Sequence, residues 1–258
     1  MKKYLMTVVA ALAAASFTSC TNEIDMFESL TSEKATIDLN ITNDNVMNTR
    51  AVSDVADPSS WYITVGNNNQ ILVSGLSAKK YEAGKYNITV SNYTNEAAAI
   101  TANDAYYEGT NENEELKKGS NPVTVACGTA KNCRVKADLT NLVGFNQITD
   151  AKLTVSQASV SARELTTANT TGYFYAGTGK TISYMLSYTY TKADNSTVDK
   201  SASGSISNPA AATEYQVKVV TNSNGTITLT VTYDTEFTTT VAETITIDAA
   251  TGEKANNQ

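Results

Sequence analysis

The chain has 258 residues and a formal net charge of −7, from 19 Lys and Arg against 26 Asp and Glu side chains. This acidic balance argues against nucleic acid as a partner, because the phosphates would be repelled. The sequence contains no histidine, which excludes His-based catalytic triads and the usual His-containing zinc sites. We expect no metal and no cofactor.

The first 19 residues have the pattern of a secretory signal peptide. Two lysines precede an apolar run from Leu5 to Ala15, which is shorter than the roughly 20 apolar residues that span a bilayer. The run leads to FTSC at positions 17–20, which resembles a lipobox in the looser form of Bacteroidetes lipoproteins. We expect Cys20 to carry lipid, since several acyl chains anchor a protein stably. The alternative is an ordinary signal peptide with a chance cysteine.

A polar tether follows at residues 20–34. Glu23 and Asp25 lie close to the anchor, and they resemble the acidic export signals that send such lipoproteins to the outer face of the cell. Loss of the signal peptide leaves 17 basic and 26 acidic side chains, a net charge of −9. We therefore expect an outer-membrane lipoprotein, exposed at the cell surface, that contacts the outer membrane through its lipid anchor.

Apolar and polar residues alternate with a period of two through the rest of the chain, which predicts half-buried strands. Helical periodicity is nearly absent. Short strands at this spacing predict an all-β fold of two antiparallel β-sandwich domains, Ig/transthyretin-like in kind. The expected domains are residues 35–143 and 144–258, divided near a short polar linker. The alternating segments lie around residues 36–41, 61–65, 86–90, 123–127, 133–137, 153–155, 182–190, 215–219, 227–233 and 241–247.

Two cysteines flank a predicted five-residue hairpin loop. Cys127 ends one alternating segment and Cys133 begins the next. Their sulfurs would face one another if the strands paired symmetrically, and an exported chain could oxidise them to a disulfide. The alternative is a pair of buried thiols that pack as small hydrophobes.

Four short motifs carry a resemblance to a known family. They are residues 76–86 (LSAKKYEAGKY), 106–109 (YYEG), 123–138 (VTVACGTAKNCRVKAD) and 172–174 (GYF). They resemble a Bacteroidetes family of two-domain surface lipoproteins of unknown function, and the layout is broadly similar to fimbrillin-like proteins. The resemblance covers most of the mature chain and implies two β-sandwich domains. It brings no catalytic residues.

Exposed tyrosines can stack on sugar rings, so some of the 14 tyrosines are candidate ligand contacts. Tyr184 and Tyr188 alternate with Leu186 and are expected in the core, because tyrosine suits a half-buried strand. The remaining candidates for glycan contact are Tyr106, Tyr107, Tyr173 and Tyr175.

Two acidic clusters could offer oxygen ligands to calcium. One is residues 110–116, TNENEEL, and the other contains Asp194, Asn195 and Asp199. Neither has the spacing of a known calcium loop, so we interpret both as solvated loops.

Arg50, followed by Ala51, is a candidate site of proteolytic processing. It lies in a polar stretch between two predicted strands, where a protease has access. Fimbrillin-like proteins are cut after an arginine in a similar place, and assembly follows. Such a cut would release the strand at residues 36–41, and a donor such as residues 238–247 of another subunit could fill the groove. The alternative is that Arg50 is an ordinary loop residue and that the first strand stays in its own sheet.

The sequence therefore predicts a cell-surface lipoprotein with a structural or adhesive role, possessing the features of a fimbrial-type subunit that acts by protein–protein contact. Its expected partners are other surface or pilus subunits, or host and glycan ligands. The alternative function is glycan binding within a polysaccharide-uptake system. With no histidine and no nucleophile motif, the sequence does not predict an enzyme.

Overall fold

A computed structural model describes residues 34–42, 58–143, 147–192, 194–221, 226–234 and 239–248. The predicted signal peptide and tether, Cys20, Arg50 and Ala51 lie outside these described residues. Within them the chain is mainly β-strand, arranged as β-sandwiches around two hydrophobic cores. The predicted all-β fold is confirmed.

The first sandwich packs a four-stranded sheet, in the order β3-β2-β4-β5, against a two-stranded sheet of β1 and β6. A short helix, α1, connects β4 to β5, and 3₁₀ turns cover Pro58–Ser60 and Val73–Ala78. The elements are β1 (Ala35–Thr42), β2 (Tyr62–Val65), β3 (Ile71–Leu72), β4 (Gly84–Ser91), α1 (Glu96–Ala102), β5 (Glu108–Leu116) and β6 (Gly119–Ala126).

The second sandwich packs a sheet in the order β12-β11-β8-β9 against a sheet in the order β10-β7-β13-β14-β15. A four-residue helix, α2, follows its first strand. The elements are β7 (Cys133–Asp138), α2 (Thr140–Val143), β8 (Ile148–Gln157), β9 (Val160–Leu165), β10 (Thr171–Phe174), β11 (Thr181–Thr191), β12 (Thr197–Ser207), β13 (Glu214–Thr221), β14 (Thr226–Asp234) and β15 (Thr239–Asp248).

The period-two pattern correctly identifies the core-facing residues of both sandwiches. In β2, Ile63 and Val65 are almost completely buried, and Trp61 directly before the strand is buried with them. In β11, the expected core tyrosines Tyr184 and Tyr188 are 1% and 3% exposed. Each large side chain removed from water contributes about 1.5–3 kcal/mol, so these faces hold the sheets together.

The predicted hairpin between β6 and β7 is wrong. β6 pairs with β1, and β7 pairs with β10 and β13, so the two strands belong to different sandwiches. Between them the chain is held by Asn132, whose side chain donates to Asp104 O and accepts from Tyr106 N at 2.9 and 3.0 Å. These bonds direct the chain away from a tight turn and into the next core.

The change of core falls ahead of the boundary expected at residues 143/144. Ala130 is the last buried member of the first core, and Cys133 begins the second. Val135, Ala137 and Leu142 then all pack into the second core. β7 lies between β10 and β13 in that sheet, so pairing with strands far along the chain decides its membership.

The helix α1 was not predicted from the sequence. Asn95 caps its start by accepting a hydrogen bond from Ala98 N at 2.9 Å. Asn103 ends it in the left-handed conformation, with φ of 60°, which asparagine tolerates better than most residues. The helix has 7 residues, about two turns, which is too short a repeat for periodicity to detect.

Candidate functional site

β1, which forms a two-stranded sheet with β6, is the last described strand before the predicted processing site in the sequence. The strands run parallel over their whole length, from Ala35 opposite Gly119 to Thr42 opposite Ala126. On its other edge, β1 makes a single bridge within the described residues, at Ala35 and Tyr81, with N–H to O distances of 2.8 and 2.9 Å. β1 is thus paired fully on one side only.

The inner face of β1 completes the first core, as the alternation predicts. Ala35 is fully buried and Ile37 is 8% exposed, while Leu39 and Ile41 are partly buried against the same cluster. In register, Leu39 lies opposite Val123 on β6. The strand therefore covers apolar core side chains that water would otherwise reach.

Polar contacts fix the register of β1 at its beginning. The buried side chain of Asn121 donates to Thr36 O at 3.1 Å and to Gly119 O at 2.9 Å. At the other end, Cys127 N donates to Thr42 O at 2.8 Å. An exposed ion pair joins Lys34 to Glu82 at 3.0 Å, and such pairs contribute little. The position of β1 thus depends on backbone pairing, the asparagine and apolar contact.

Two of the four candidate glycan-contact tyrosines are buried, which corrects the expectation for them. A ring that stacks on a sugar must present a face to solvent, but Tyr106 and Tyr107 are only 6% and 4% exposed. The Tyr106 hydroxyl donates to Glu108 at 2.6 Å. Burial and this carboxylate raise the pKa of Tyr106. Both residues are therefore structural.

Tyr173 and Tyr175 are partly exposed and lie where the two sandwiches meet. Tyr173 packs against the first core although its strand belongs to the second, and its N–H donates to Asn103 Oδ1 at 3.0 Å. The Asn103 amide also donates to Thr171 O at 3.1 Å. Tyr175 exchanges backbone hydrogen bonds with the Gln157 side chain, at 2.8 and 2.9 Å.

Cys127 and Cys133 are both free and buried, and they belong to different cores. Cys127 Sγ lies 3.7 Å from Val90 O, and Cys133 Sγ lies 3.4 Å from Phe174 O. Burial raises the pKa of Cys127 to about 11 and that of Cys133 to about 12. Of the two interpretations, the structure shows the buried thiols, which stay protonated at neutral pH and react slowly.

The acidic segment at residues 110–116 is a strand and not a solvated loop. It forms most of β5 and pairs with β4, with a register shift between Tyr86 and Ile88. Asn113, with φ of 57°, donates its N–H to the Asn87 side chain at 3.0 Å. The alternation was hidden because polar residues occupy both faces of this edge strand.

The carboxylates of the second acidic cluster accept hydrogen bonds within a turn and between neighbouring strands. Asp194 Oδ1 accepts from Ser196 N and Oγ at 3.0 and 2.6 Å, and these bonds lower the pKa of Asp194. Asp199 accepts from Thr189 across the strands at 2.9 Å. Within the described ranges, no three potential metal-binding side chains come together.

A buried ion pair crosses the second parallel strand pair, and no sequence pattern predicted it. Arg134 on β7 lies directly opposite Glu214 on β13, with Nε to Oε2 at 2.5 Å. The two side chains are 18% and 12% exposed. Desolvation lowers the pKa of Arg134, but the hydrogen bond with Tyr173 and the Glu214 charge outweigh it and raise the pKa. The strands that bring these residues together are about 80 residues apart.

No helix among the described residues is long and apolar enough to cross a membrane. No curated protein matches the chain in sequence. Among solved structures, a fimbrial assembly protein from Parabacteroides distasonis is 11% identical, with a TM-score of 0.46, and the match covers 80% of this chain and 98% of that one. A candidate adhesin from Bacteroides ovatus is 12% identical, with a TM-score of 0.30, covering 69% and 85%.

A protein-family model, the domain of unknown function DUF4493, matches residues 33–249. The matched segment begins just before β1 and includes every strand of both sandwiches. The chain therefore belongs to the DUF4493 family.

Proposed function

We propose that this protein is a structural or adhesive lipoprotein of the cell surface, and that it joins other subunits by exchange of its first strand. The observation that carries the proposal is the one-sided pairing of β1: parallel to β6 along its full length, with one bridge on its other edge within the described residues. A strand held this way can be replaced by one of similar pattern without rebuilding the rest of the sandwich.

Release of β1 begins in this proposal with hydrolysis of the Arg50–Ala51 peptide bond by a protease at the cell surface. The cut separates β1, and the lipid on Cys20 with it, from the remainder of the chain. Loss of β1 uncovers the hydrogen-bonding edge of β6 and the apolar side chains of Val123 and Val125. Both valines are 1% exposed while β1 is in place. An edge and groove of this kind are a template for an incoming strand.

The donor in this proposal is the C-terminal strand of a neighbouring subunit. β15 is an edge strand of its sheet, and it pairs only with β14 in the described part of the chain. Its sequence carries Val241, Ile245 and Ile247, and the last two have the two-residue spacing of Ile37, Leu39 and Ile41. A strand with this spacing can present apolar side chains to the groove that β1 leaves.

N-terminal sequencing of protein from the native cell surface tests the processing step. We expect the chain to begin at Ala51 in the wild type and at lipidated Cys20 in Arg50→Ala, with high-mass polymers only in the wild type. Asp54→Ala, in the same segment, is the matched control and should behave as the wild type. A chain that begins at Cys20 in both, without polymers, would contradict strand exchange.

Radioactive palmitate labelling tests the anchor separately. We expect label and membrane fractionation in Arg50→Ala, which keeps the anchor on the same chain as the two sandwiches, and neither in the double variant Cys20→Ala, Arg50→Ala, because the acyl chains are what hold the protein at the bilayer. A double variant that stays in the membrane fraction, together with an unlabelled Arg50→Ala protein, would show that the lipobox interpretation is wrong.

The alternative function, glycan binding by exposed aromatics, now depends on Tyr173 and Tyr175. These two rings keep partial exposure at the junction of the sandwiches, so they remain candidates after Tyr106 and Tyr107 are removed by burial. Lys180 Nζ lies 5.3 Å from the centre of the Tyr175 ring, which places a cation beside this aromatic. Replacement of both tyrosines by alanine should abolish binding to a glycan array if this alternative holds.

A further inference from the structure

A cleft lies between the two sandwiches, away from β1. It has a volume of about 220 Å³ and is open to solvent on one side. Its first wall is α1, with Ala97 and Thr101, and its second wall is the β8–β9 hairpin, with Ser159 and Arg163. Tyr175 also lines it. Pockets for drug-sized ligands are typically about 300–1,000 Å³, so this cleft suits something smaller.

Arg163 is held in this cleft by contacts from both sandwiches. Its Nη2 donates to Ile100 O in the last turn of α1, where the helix dipole favours a cation. Its aliphatic stem passes over β10 at Gly172, where an added Cβ would lie 2.9 Å from Arg163 Cδ. The glycine thus leaves room for the stem of this arginine, and the bond to Ile100 O holds one of its guanidinium nitrogens.

The charge of Arg163 is not compensated within the described part of the chain. Its Nε is buried and has no hydrogen-bond partner there, and Arg163 takes part in none of the ion pairs found there. None of the nine residues that line the cleft is acidic. Burial lowers the pKa of Arg163, as desolvation does for a cation without a counter-charge. An anion in the cleft would relieve this cost.

The rest of the lining indicates what else the ligand carries. Ser159, Ser161 and Thr101 supply hydroxyl groups, which can both donate and accept. Thr101 Oγ1 already donates to Ala97 O at 2.8 Å, so it offers acceptor capacity to the ligand. Ser159 has φ of 68°, which is uncommon for a residue with a side chain. The cleft therefore suits a hydroxylated ligand with one anionic group.

We infer that this cleft binds a small hydroxylated carboxylate, the size of one sugar acid, with its carboxylate at Arg163. A single guanidinium matches the single charge and planar fork of a carboxylate. The hydroxyl-lined walls then take the hydroxyl groups of the sugar ring. This inference does not depend on strand exchange, since none of its residues lies on β1, and it gives the glycan alternative a specific pocket.

Calorimetric titration of the full chain carrying Cys20→Ala tests the inference, with glucuronate, glucose and inorganic phosphate as probes. We expect saturable binding of glucuronate with a Kd of about 1 mM, and at least tenfold weaker binding of glucose, which has the same ring without the carboxylate. Saturable phosphate binding without glucuronate binding would overturn the carboxylate assignment. Absence of saturable glucuronate binding would overturn the inference as a whole.

Two variants locate the binding. Arg163→Gln removes the charge and should weaken glucuronate at least tenfold. Ala97→Trp fills the cleft from an exposed position on α1 and leaves Arg163 in place, so it decides the matter if Arg163→Gln does not fold. Met185→Ala, at a side chain 43% exposed on β11, is the control and should bind as the wild type. Undiminished glucuronate binding in Ala97→Trp would overturn the site.

Discussion

The fold contains two parallel strand pairs, and they are built in opposite ways. β1 and β6 form a sheet of their own, with apolar side chains on the inner face and one bridge beyond β1 in the described residues. β7 and β13 lie inside a five-stranded sheet, covered on both edges by β10 and β14, and joined by the buried pair of Arg134 and Glu214. Separation of the first pair would remove one edge strand, β1, while separation of the second pair would divide a five-stranded sheet in its interior.

The largest effect is expected from Glu214→Ala, which removes the counter-charge of the mostly buried Arg134. Removal of one partner from a buried ion pair costs about 3–5 kcal/mol of unfolding free energy. Urea denaturation of the second sandwich measures it. The control is Glu164→Ala, which breaks an ion pair with Lys152. The Lys152 and Glu164 side chains are 42% and 59% exposed, so the free energy of unfolding should change by less than about 1 kcal/mol. Equal losses in both variants would contradict the distinction.

Ile37→Ala should have the next largest effect, and a local one. Removal of a buried Ile side chain costs about 2–5 kcal/mol, and we expect the lower end because Ile37 is at the edge of the core and 8% exposed. Hydrogen exchange should show faster exchange of β1 and β6 amides, with β7 and β13 unchanged. Uniform acceleration across both sandwiches would show that β1 does not open on its own.

The alkylation rates of Cys127 and Cys133 should show the same difference between the β1–β6 pair and the β7–β13 pair. In the full chain carrying Cys20→Ala, Cys127 and Cys133 are the only thiols. Cys127 directly follows β6 and its N–H bonds to Thr42, so Ile37→Ala should speed its alkylation at least tenfold, about 1.4 kcal/mol, while Cys133 stays slow. Rates should rise as pH approaches the raised thiol pKa values, about 11 and 12, because the thiolate reacts. Mass spectrometry of labelled peptides measures both.

The smallest effect is expected from Lys34→Ala, which removes the ion pair at the beginning of β1. The side chains of Lys34 and Glu82 are 46% and 68% exposed, so the free energy of unfolding should fall by less than about 1 kcal/mol. Salt should erase most of the difference, because exposed charges are screened. A loss as large as that of Ile37→Ala would mean that charge, and not apolar contact, holds β1.

The sequence predicted which residues face the cores but not which strands pair. Alternation encodes a face of a strand, and Ile63 and Leu186 were placed correctly because burial of one face is local information. The neighbour of a strand is decided by distant segments: β6 pairs with β1, about 80 residues earlier. That is why residues 128–132, which look like a hairpin loop, instead connect the two sandwiches.

The candidate sites divide in the same way. The buried and exposed tyrosines could not be separated from the sequence, because Tyr106 is covered by contacts with Glu108 and with the segment around Asn132. Arg163 carries no sequence signal at all, since its partner Ile100 is 63 residues away. The candidates at Cys20, Arg50 and Ala51 come from the sequence alone and stay predictions.

The register of β1 also determines how the protein responds to a pulling force. Because β1 runs parallel to β6, a pull on the chain ahead of β1 is directed along the strand rather than across it. Eight residue pairs, from Ala35–Gly119 to Thr42–Ala126, then share the load at once. Such a shear arrangement resists force better than one in which hydrogen bonds open one by one. If β1 is exchanged as we propose, it therefore still bears tension for as long as it remains in place.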